Sequence, residues 1–535
     1  MGTPSLDPVV VFSPYDGAEL GRLPAASANE VEAAIARAHA VQPAWGGLAL
    51  ADRLACLRRA RSLLLRRKHE IAALVAREQG KPVREALVAE IMTGLGALSY
   101  YLRETPRLMA DVARPHRMPF LAEKQARRVV RPRGVTAVLS PWNYPFAIPF
   151  VQLAANIAAG NATVLRPSTR TPLVALAIAD IYHQAGVPRD ALQVVVCHTA
   201  QAEPLIADPR VRLLVFTGST ETGRALAGRA SRNLCRSVLE LGGKDPFVVF
   251  DDAPLERAAR AAVWSAFMNA GQTCSSTERV YVQRGVFDRF VARVVELTHT
   301  LVVDDPSRPG TDVGPMVSSD GVDKVQAQVD EAVSQGARVL TGGQRGLGRF
   351  FPPTVLVDVT HDMSLMRDET FGPLLPVVPF DTEDEAVALA NDSEYGLTAS
   401  VWTSDRARAR RVAERLEAGA VTVNDANFTF GEAAAPWGGP KGSSVGRTHG
   451  PEGFAELVEV KFISEDWSMR DKQLWWFPYS PIKGRLFSTS LDLLFSPSLA
   501  TRVASLALLT PWMPVLAREA NLPLILSRIP QMLAE

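Results

Sequence analysis

The stretch RGVTAVLSPWNYPFAIPFVQLAANIAAGNATVLR, residues 133–166, decides the architecture. Two short apolar runs, Val135–Ser140 and Ala162–Arg166, read as buried strands around a helical segment, with Gly and Pro at the joins. The same texture continues through Leu192–Cys197, Leu213–Thr217 and Val238–Leu241, with an apolar helix such as Leu173–Gln184 between runs. Strand alternating with helix argues for a parallel sheet covered on both faces. A second alternation follows Phe247, through Arg279–Gln283, Ala337–Thr341, Leu374–Phe380, Ala399–Thr403 and Ala420–Asn424. The expected class is α/β, with two Rossmann-like parallel-sheet domains. Upstream, Ser27 with Glu30 three residues on forms a capping box ahead of Val31, Ala34, Ile35 and Ala38 on one helical face. Residues 51–79 read as one or two long amphipathic helices, and Arg58, Arg59, Arg61, Arg66 and Arg67 as a solvated face rather than a binding patch.

A chain of 535 residues is too long for one hydrophobic core, so two or three domains are expected. With 58 basic and 57 acidic side chains, nothing in the charge points to nucleic acid. The four cysteines, Cys56, Cys197, Cys235 and Cys274, show no CxxC spacing, so neither a metal site nor a disulfide framework is expected and a reducing, cytoplasmic setting fits. The N-terminus lacks the pattern of a secretory signal.

Two segments carry the chemistry: Glu240-Leu241-Gly242-Gly243-Lys244 and Gly271-Gln272-Thr273-Cys274. A thiolate attacks carbonyl carbon, and a partly buried carboxylate with a raised pKa activates water. For the other three cysteines the expected role is that of a small buried hydrophobe. For Glu240 the bland alternative is an ion pair with Lys244. Asn143, in Pro141-Trp142-Asn143-Tyr144-Pro145, is an amide donor suited to an oxyanion, against the alternative of a turn or cap residue. Phe216-Thr217-Gly218-Ser219-Thr220-Glu221-Thr222-Gly223 joins a strand to a helix, a turn that aims N–H groups at a pyrophosphate, although its glycine spacing is not GxGxxG.

With Glu369-Thr370-Phe371-Gly372-Pro373, these five motifs stand in an order that resembles the NAD(P)-dependent aldehyde dehydrogenase superfamily, from about residue 10 to about residue 465. The resemblance implies Cys274 as nucleophile, Asn143 as oxyanion donor and Glu240 as base for thioester hydrolysis. It implies NAD or NADP held by Ser140, Pro141, Trp142, Arg166, Ser168, Thr169, Gly218, Ser219, Gly223, Leu241 and Gly242, with Glu369 on the nicotinamide ribose and Phe371 beside the ring. It implies a nucleotide-binding domain (1–122 and 134–242), a catalytic domain (243–454), a β-hairpin oligomerisation arm (123–133 and 455–465), and a homodimer or homotetramer. Pocket walls are expected from Phe146, Ala147, Phe150, Val151, Thr273, Phe428 and Phe430. With no Arg or Lys standing out there, an apolar aldehyde is the expected substrate. Two other readings stay open. A CoA-acylating semialdehyde dehydrogenase would generally lack Glu240, and a non-catalytic binding protein on this fold would be expected to lose the nucleophile or the base.

The family commonly carries Lys-Pro-x-Glu where this chain has Arg166-Pro167-Ser168-Thr169, followed by Arg170. Without a carboxylate at 169 nothing repels a 2′-phosphate, and two guanidinium groups can bind it, so NADP is expected to be accepted. The extension, residues 466–535, opens with Trp475-Trp476-Phe477-Pro478-Tyr479 and contains the uncharged run Val503–Ala517 with Lys483, Arg485, Arg502, Arg518 and Arg528 around it. That run is too short to span a bilayer. Either a helix lying at a membrane surface or a tail packed on the enzyme or its dimer partner is expected.

Overall fold

The expected alternation is realised as two open parallel-dominated sheets. The computed structural model describes residues 6–118, 121–514 and 527. Residues 515–526 and 528–535, with Arg518 and Arg528, lie outside the described residues. The chain divides into two compact units, one formed by residues up to 108 with 132–459, the other by 109–131 with 460–535.

In the larger unit the first sheet has the strand order Ser444–Val445, Arg236–Glu240, Val211–Thr217, Val135–Ser140, Ala162–Pro167, Leu192–Val194. All neighbours are parallel except the short Ser444–Val445, which runs antiparallel to Arg236–Glu240. Val135–Ser140 comes first in the chain, and successive strands are added on either side of it. The connectivity therefore reverses between Val135–Ser140 and Val211–Thr217, the place where open α/β sheets bind ligands at the carboxyl ends of their strands. Ser140, Ser168 and Gly218 all follow directly on such ends or lie at them. The second sheet runs Arg338–Thr341, Thr354–Val357, Leu374–Phe380, Thr277–Gln283, Asp245–Val249, Thr398–Trp402, Ala420–Val423. Only its first pair is antiparallel. Every residue of Val135–Ser140 and Asp245–Val249 is buried, as expected for strands covered on both faces.

Several expectations land on the residue: Val135–Ser140 and Leu374–Phe380 have those limits, and Ser27 and Glu30 form the capping box of the helix Ala28–Gly46. Residues 51–79 belong to one helix, Leu50–Gln79, not two. The strand expected over Leu192–Cys197 stops at Val194. After the helix Val83–Glu85 comes a stretch of π-helix, Ala86–Met92, a geometry often found beside functional sites.

The strands Val458–Glu465, Gln125–Pro132 and Val112–Ala113, most of whose residues belong to the smaller unit, form a three-stranded sheet at the expected arm, rather than a simple hairpin. The extension is tied to it. Lys124 Nζ lies 2.5 Å from Asp466 Oδ2, and Arg470 Nη2 lies 3.0 Å from Glu123 Oε1. Beyond, the helices Pro481–Phe495 and Leu499–Leu509 are capped by Ser480 and Ser498. They close over a small core of Leu474, Leu486, Leu493 and Leu509. Arm and extension, expected as separate segments, thus belong to one unit. Among the described residues no helix is long and apolar enough to cross a membrane.

Candidate active site

Three loops from distant parts of the sequence meet at Cys274. The first follows Val135–Ser140. Asn143 is buried and donates from Nδ2 to the Gln272 carbonyl at 3.1 Å, and the Tyr144 hydroxyl lies 2.8 Å from Thr273 Oγ1. A primary amide has two N–H donors, so Asn143 keeps one for a ligand. The second loop follows Arg236–Glu240. A Cβ on Gly243 would overlap the Cys274 carbonyl oxygen, so only glycine lets these backbones approach. The third is the thiol loop itself, where Asn269 and Ala270 both sit in the left-handed region at φ 53° and Gly271 at φ 72°. Non-glycine residues held there are strained, and such strain clusters at functional sites.

Cys274 is partly exposed, whereas Cys56, Cys197 and Cys235 are buried. Burial, and then the Asp245, Glu240 and Glu369 carboxylates, push the Cys274 thiol well above its ordinary range. Glu240 is buried and its pKa is raised by burial, against the opposing bonds from Thr448, Thr217 and Gln152. Thr217 donates to Oε2 at 3.1 Å, and the Thr448 hydroxyl donates to Oε1. Lys244 does not pair with Glu240. Its ammonium lies 2.5 Å from Glu278 Oε2, and Glu278 in turn accepts from the Thr370 and Phe371 N–H groups at 2.7 and 2.9 Å, fixing the Glu369–Phe371 loop.

The dinucleotide side fits the group the sequence points to. Arg166 leaves its buried Nε without a partner while Nη2 donates to the Cys197 carbonyl at 3.2 Å. Ser219 caps the helix Thr220–Ala230, and Gly223 on it packs so closely on Leu241 that a Cβ would collide. A Cβ on Gly242 would press on the Glu369 carboxylate, which accepts from Gly243 N–H at 3.2 Å. Burial and Glu278 raise Glu369 to about 7. Trp142 and Phe371 meet edge to face at 5.4 Å. Pro141, Ser168 and Thr169 stand at the sheet's carboxyl edge, Thr169 half-buried and Arg170 exposed, 3.7 Å from Asp320.

The pocket walls are partly reassigned. Ala147 and Phe430 do border an apolar cluster with Tyr144, Ile148, Met268 and Ala89, and Phe428 is 49% exposed nearby in sequence. Phe146 and Phe150 face the core instead: they stack at 4.6 Å, and Phe150 stacks on Tyr182 at 4.8 Å. Val151 lines a cavity beside Gln152 and Thr448. Thr273 is buried against Tyr144.

Sequence reasoning missed the supports. Lys81, just past Gly80 at the end of Leu50–Gln79, donates to the Asn143 carbonyl at 3.0 Å, pairs with buried Glu90 at 2.5 Å, and lies 3.5 Å over the Tyr144 ring. Glu90, on the π-helix, accepts from the Phe146 and Ala147 N–H groups at 3.1 and 2.6 Å, at the start of the helix Ala147–Ala159. Asn269 Nδ2 donates to the Asn143 and Gln272 carbonyls, both at 3.0 Å. The one available signal was Gly80-Lys81-Pro82 breaking a long helix.

Comparison with known proteins matches residues 3–463 to the aldehyde dehydrogenase family. The mitochondrial succinate-semialdehyde dehydrogenase of Mus musculus is 39% identical over 462 residues, 85% of this chain and 87% of the relative. The NADP(+) succinate-semialdehyde dehydrogenase of Escherichia coli K12 is 38% identical over 457 residues, 85% of this chain and 93% of the relative. The crystal structure of betaine aldehyde dehydrogenase from Staphylococcus aureus in complex with NAD+ superposes with a TM-score of 0.84 at 29% identity, covering 88% of this chain and 94% of that one. A thiol loop, an amide donor and a buried carboxylate converge beside two open sheets, and the match covers most of the chain: it belongs to the aldehyde dehydrogenase family, as an NAD(P)-dependent enzyme.

Proposed function

We propose that this enzyme oxidises an apolar aldehyde, aliphatic or aromatic, to its carboxylic acid through a thioester on Cys274. One observation carries the substrate class: Tyr144, Ala147, Ile148 and Met268, with Ala89 and Phe430 against them, form an apolar wall on the segments that carry Asn143 and Cys274. Lys81, the ammonium beside Asn143, is neutralised by Glu90. In this mechanism Cys274 Sγ releases its proton to solvent water and adds to the carbonyl carbon. The spare N–H of Asn143 meets the developing oxyanion, an interaction worth about 3–4 kcal/mol of barrier. NAD(P)+, which Arg166, Ser219 and Glu369 would hold, would supply the hydride acceptor. Glu240 then takes a proton from water, whose oxygen attacks the thioester and frees the thiolate. Its two hydroxyl partners allow it to exchange bonds as it turns toward that water.

NAD(P)H formation with straight-chain aldehydes of rising length, benzaldehyde and succinic semialdehyde tests the assignment. The expected outcome is kcat/KM rising with chain length. A preference for succinic semialdehyde, the substrate in the names of two relatives above, would replace the apolar reading. Acid as product with and without CoA separates hydrolysis from acyl transfer to CoA, and no NAD(P)H with any aldehyde would favour a binding role. NADP is accepted on this reading because Arg166 and Thr169 leave room and charge for a 2′-phosphate. A kcat/KM for NAD more than about a hundredfold above that for NADP, roughly 2.7 kcal/mol, would refute it.

The arm supports a homodimer or homotetramer, which sedimentation would size. The extension supports contact with a membrane surface: Leu499, Val503 and Leu506, which share one face of the helix Leu499–Leu509, are each more than half exposed. If neither the full chain nor one ending near residue 466 sediments with liposomes, that contact is absent.

A further inference from the structure

Charge is divided unevenly between the two units of this chain. The arm and extension, residues 109–131 and 460–535, carry 14 Lys and Arg against 8 Asp and Glu, while the rest of the chain carries 44 against 49. A protein with a net charge of only +1 therefore holds one positive unit and one negative unit.

The positive unit also bears unpartnered apolar rows. Leu499, Val503 and Leu506 stand at i, i+4 and i+7 of the helix Leu499–Leu509, and Leu491 and Phe495 stand one turn apart on the helix Pro481–Phe495. All five are more than half exposed. Leu486, Leu493 and Leu509 of the same helices close over Leu474, so the exposed rows are not part of the unit's own core. Ahead of the helices Phe477 and Tyr479 are 78% and 71% exposed, with their rings 4.5 Å apart. Lys472 and Arg485, on either side of these rings in the sequence, are exposed as well.

Charge separates the surfaces that could cover these rows. A second copy would set one positive unit against another. A neutral lipid surface would cover the rows and leave the cations without partners. Nucleic acid would pair with the cations and leave the rows in water. An anionic lipid surface meets both needs: phosphate groups attract the cations, and the apolar rows and aromatic rings enter the boundary beneath the headgroups.

We propose that the arm-and-extension unit docks on anionic phospholipid, with the apolar rows supplying contact and the excess of Lys and Arg choosing the surface. The inference rests on the membrane-surface reading of the extension. Among the described residues no helix is long and apolar enough to cross a bilayer, so the docking is peripheral and salt reverses it.

The test is sedimentation of the full chain with vesicles of phosphatidylcholine alone and of phosphatidylcholine with phosphatidylglycerol. Each is run at about 0.1 M and about 1 M NaCl, where the screening length falls from about 10 Å to about 3 Å. At the lower salt, binding to the mixed vesicles should exceed binding to phosphatidylcholine at least about tenfold, and most of the excess should vanish at the higher salt. The double variant Lys472→Glu with Arg485→Glu should lower mixed-vesicle binding at least about fivefold and leave phosphatidylcholine binding unchanged. Val503→Asn with Leu506→Asn should weaken binding to both kinds of vesicle. These four side chains are exposed or half-exposed, so thermal unfolding should stay that of wild type in both variants. Equal binding to the two vesicles, indifferent to salt, would overturn the proposal and leave membrane contact standing. Binding to neither would remove membrane contact itself, and the proposal with it. Binding to duplex DNA as tight as to the mixed vesicles, and unchanged in Val503→Asn with Leu506→Asn, would reveal a general polyanion site and overturn the lipid assignment.

Discussion

The thiol side of the site and the base side are held by different kinds of bond. Around Asn143 and the 269–274 loop the supports are ionic or densely interlocked: Lys81 with Glu90, Glu90 on two backbone N–H groups, and Asn269 on two carbonyls. Around Glu240 they are two hydroxyls and the Gln152 amide, which also donates to Thr217 Oγ1 at 3.1 Å. Hydroxyls exchange partners by rotation, while a buried ion pair cannot be opened without stranding a charge. On the proposed mechanism this would fix the nucleophile side for attack and leave Glu240 free to turn between its clasp and the thioester.

The sharpest way to break this contrast is to remove the groups themselves. Cys274→Ala should lose at least about a thousandfold in kcat, with no burst. Glu240→Gln should keep the burst and lose about 10²–10⁴-fold in the steady rate, because only hydrolysis needs the base. Equal loss of both phases in Glu240→Gln would place the carboxylate in the first step as well. Lys81→Met leaves Glu90 buried without its partner and should cost about 3–5 kcal/mol of stability by denaturant unfolding. Thr448→Val, which removes one hydroxyl from the base side, should cost no more than about 2 kcal/mol in the same measurement. Similar losses for the two would erase the distinction between the sides.

A pH series sharpens the thiol half. With the cofactor absent, burial and three carboxylates favour the neutral thiol, so little thiolate exists near neutrality. Iodoacetamide labelling of Cys274 should then accelerate about tenfold per pH unit from pH 7 to 9. A rate that levels off below pH 8 would mean a thiolate already formed. The smallest effect is expected at the cofactor edge. Thr169→Glu should lower the NADP preference by about tenfold to a hundredfold through repulsion of the 2′-phosphate, with little change for NAD.

Much of this was legible in the chain. Val135–Ser140 could be read to its ends because six apolar or small residues lie between Gly134 and Pro141. Glu240, Cys274 and Asn143 stood out because each sits in a short string with its own chemistry. The supports did not, because their partners are remote. Lys81 reaches 62 residues to Asn143, and Glu90 reaches 56 to Phe146, distances at which no periodicity operates. The inward turn of Phe146 and Phe150 was illegible for another reason. All thirteen residues of Ala147–Ala159 are buried, so an apolar pattern cannot say which face meets the substrate. The union of arm and extension depends on Lys124 meeting Asp466 across 342 residues.

The central claim is a thioester carried by one sulfur. Glu240→Gln incubated with hexanal and NADP+, digested, and read by peptide mass should show a hexanoyl adduct on the peptide containing Cys274, near one per chain. No adduct, or one on Cys56, Cys197 or Cys235, would contradict the account.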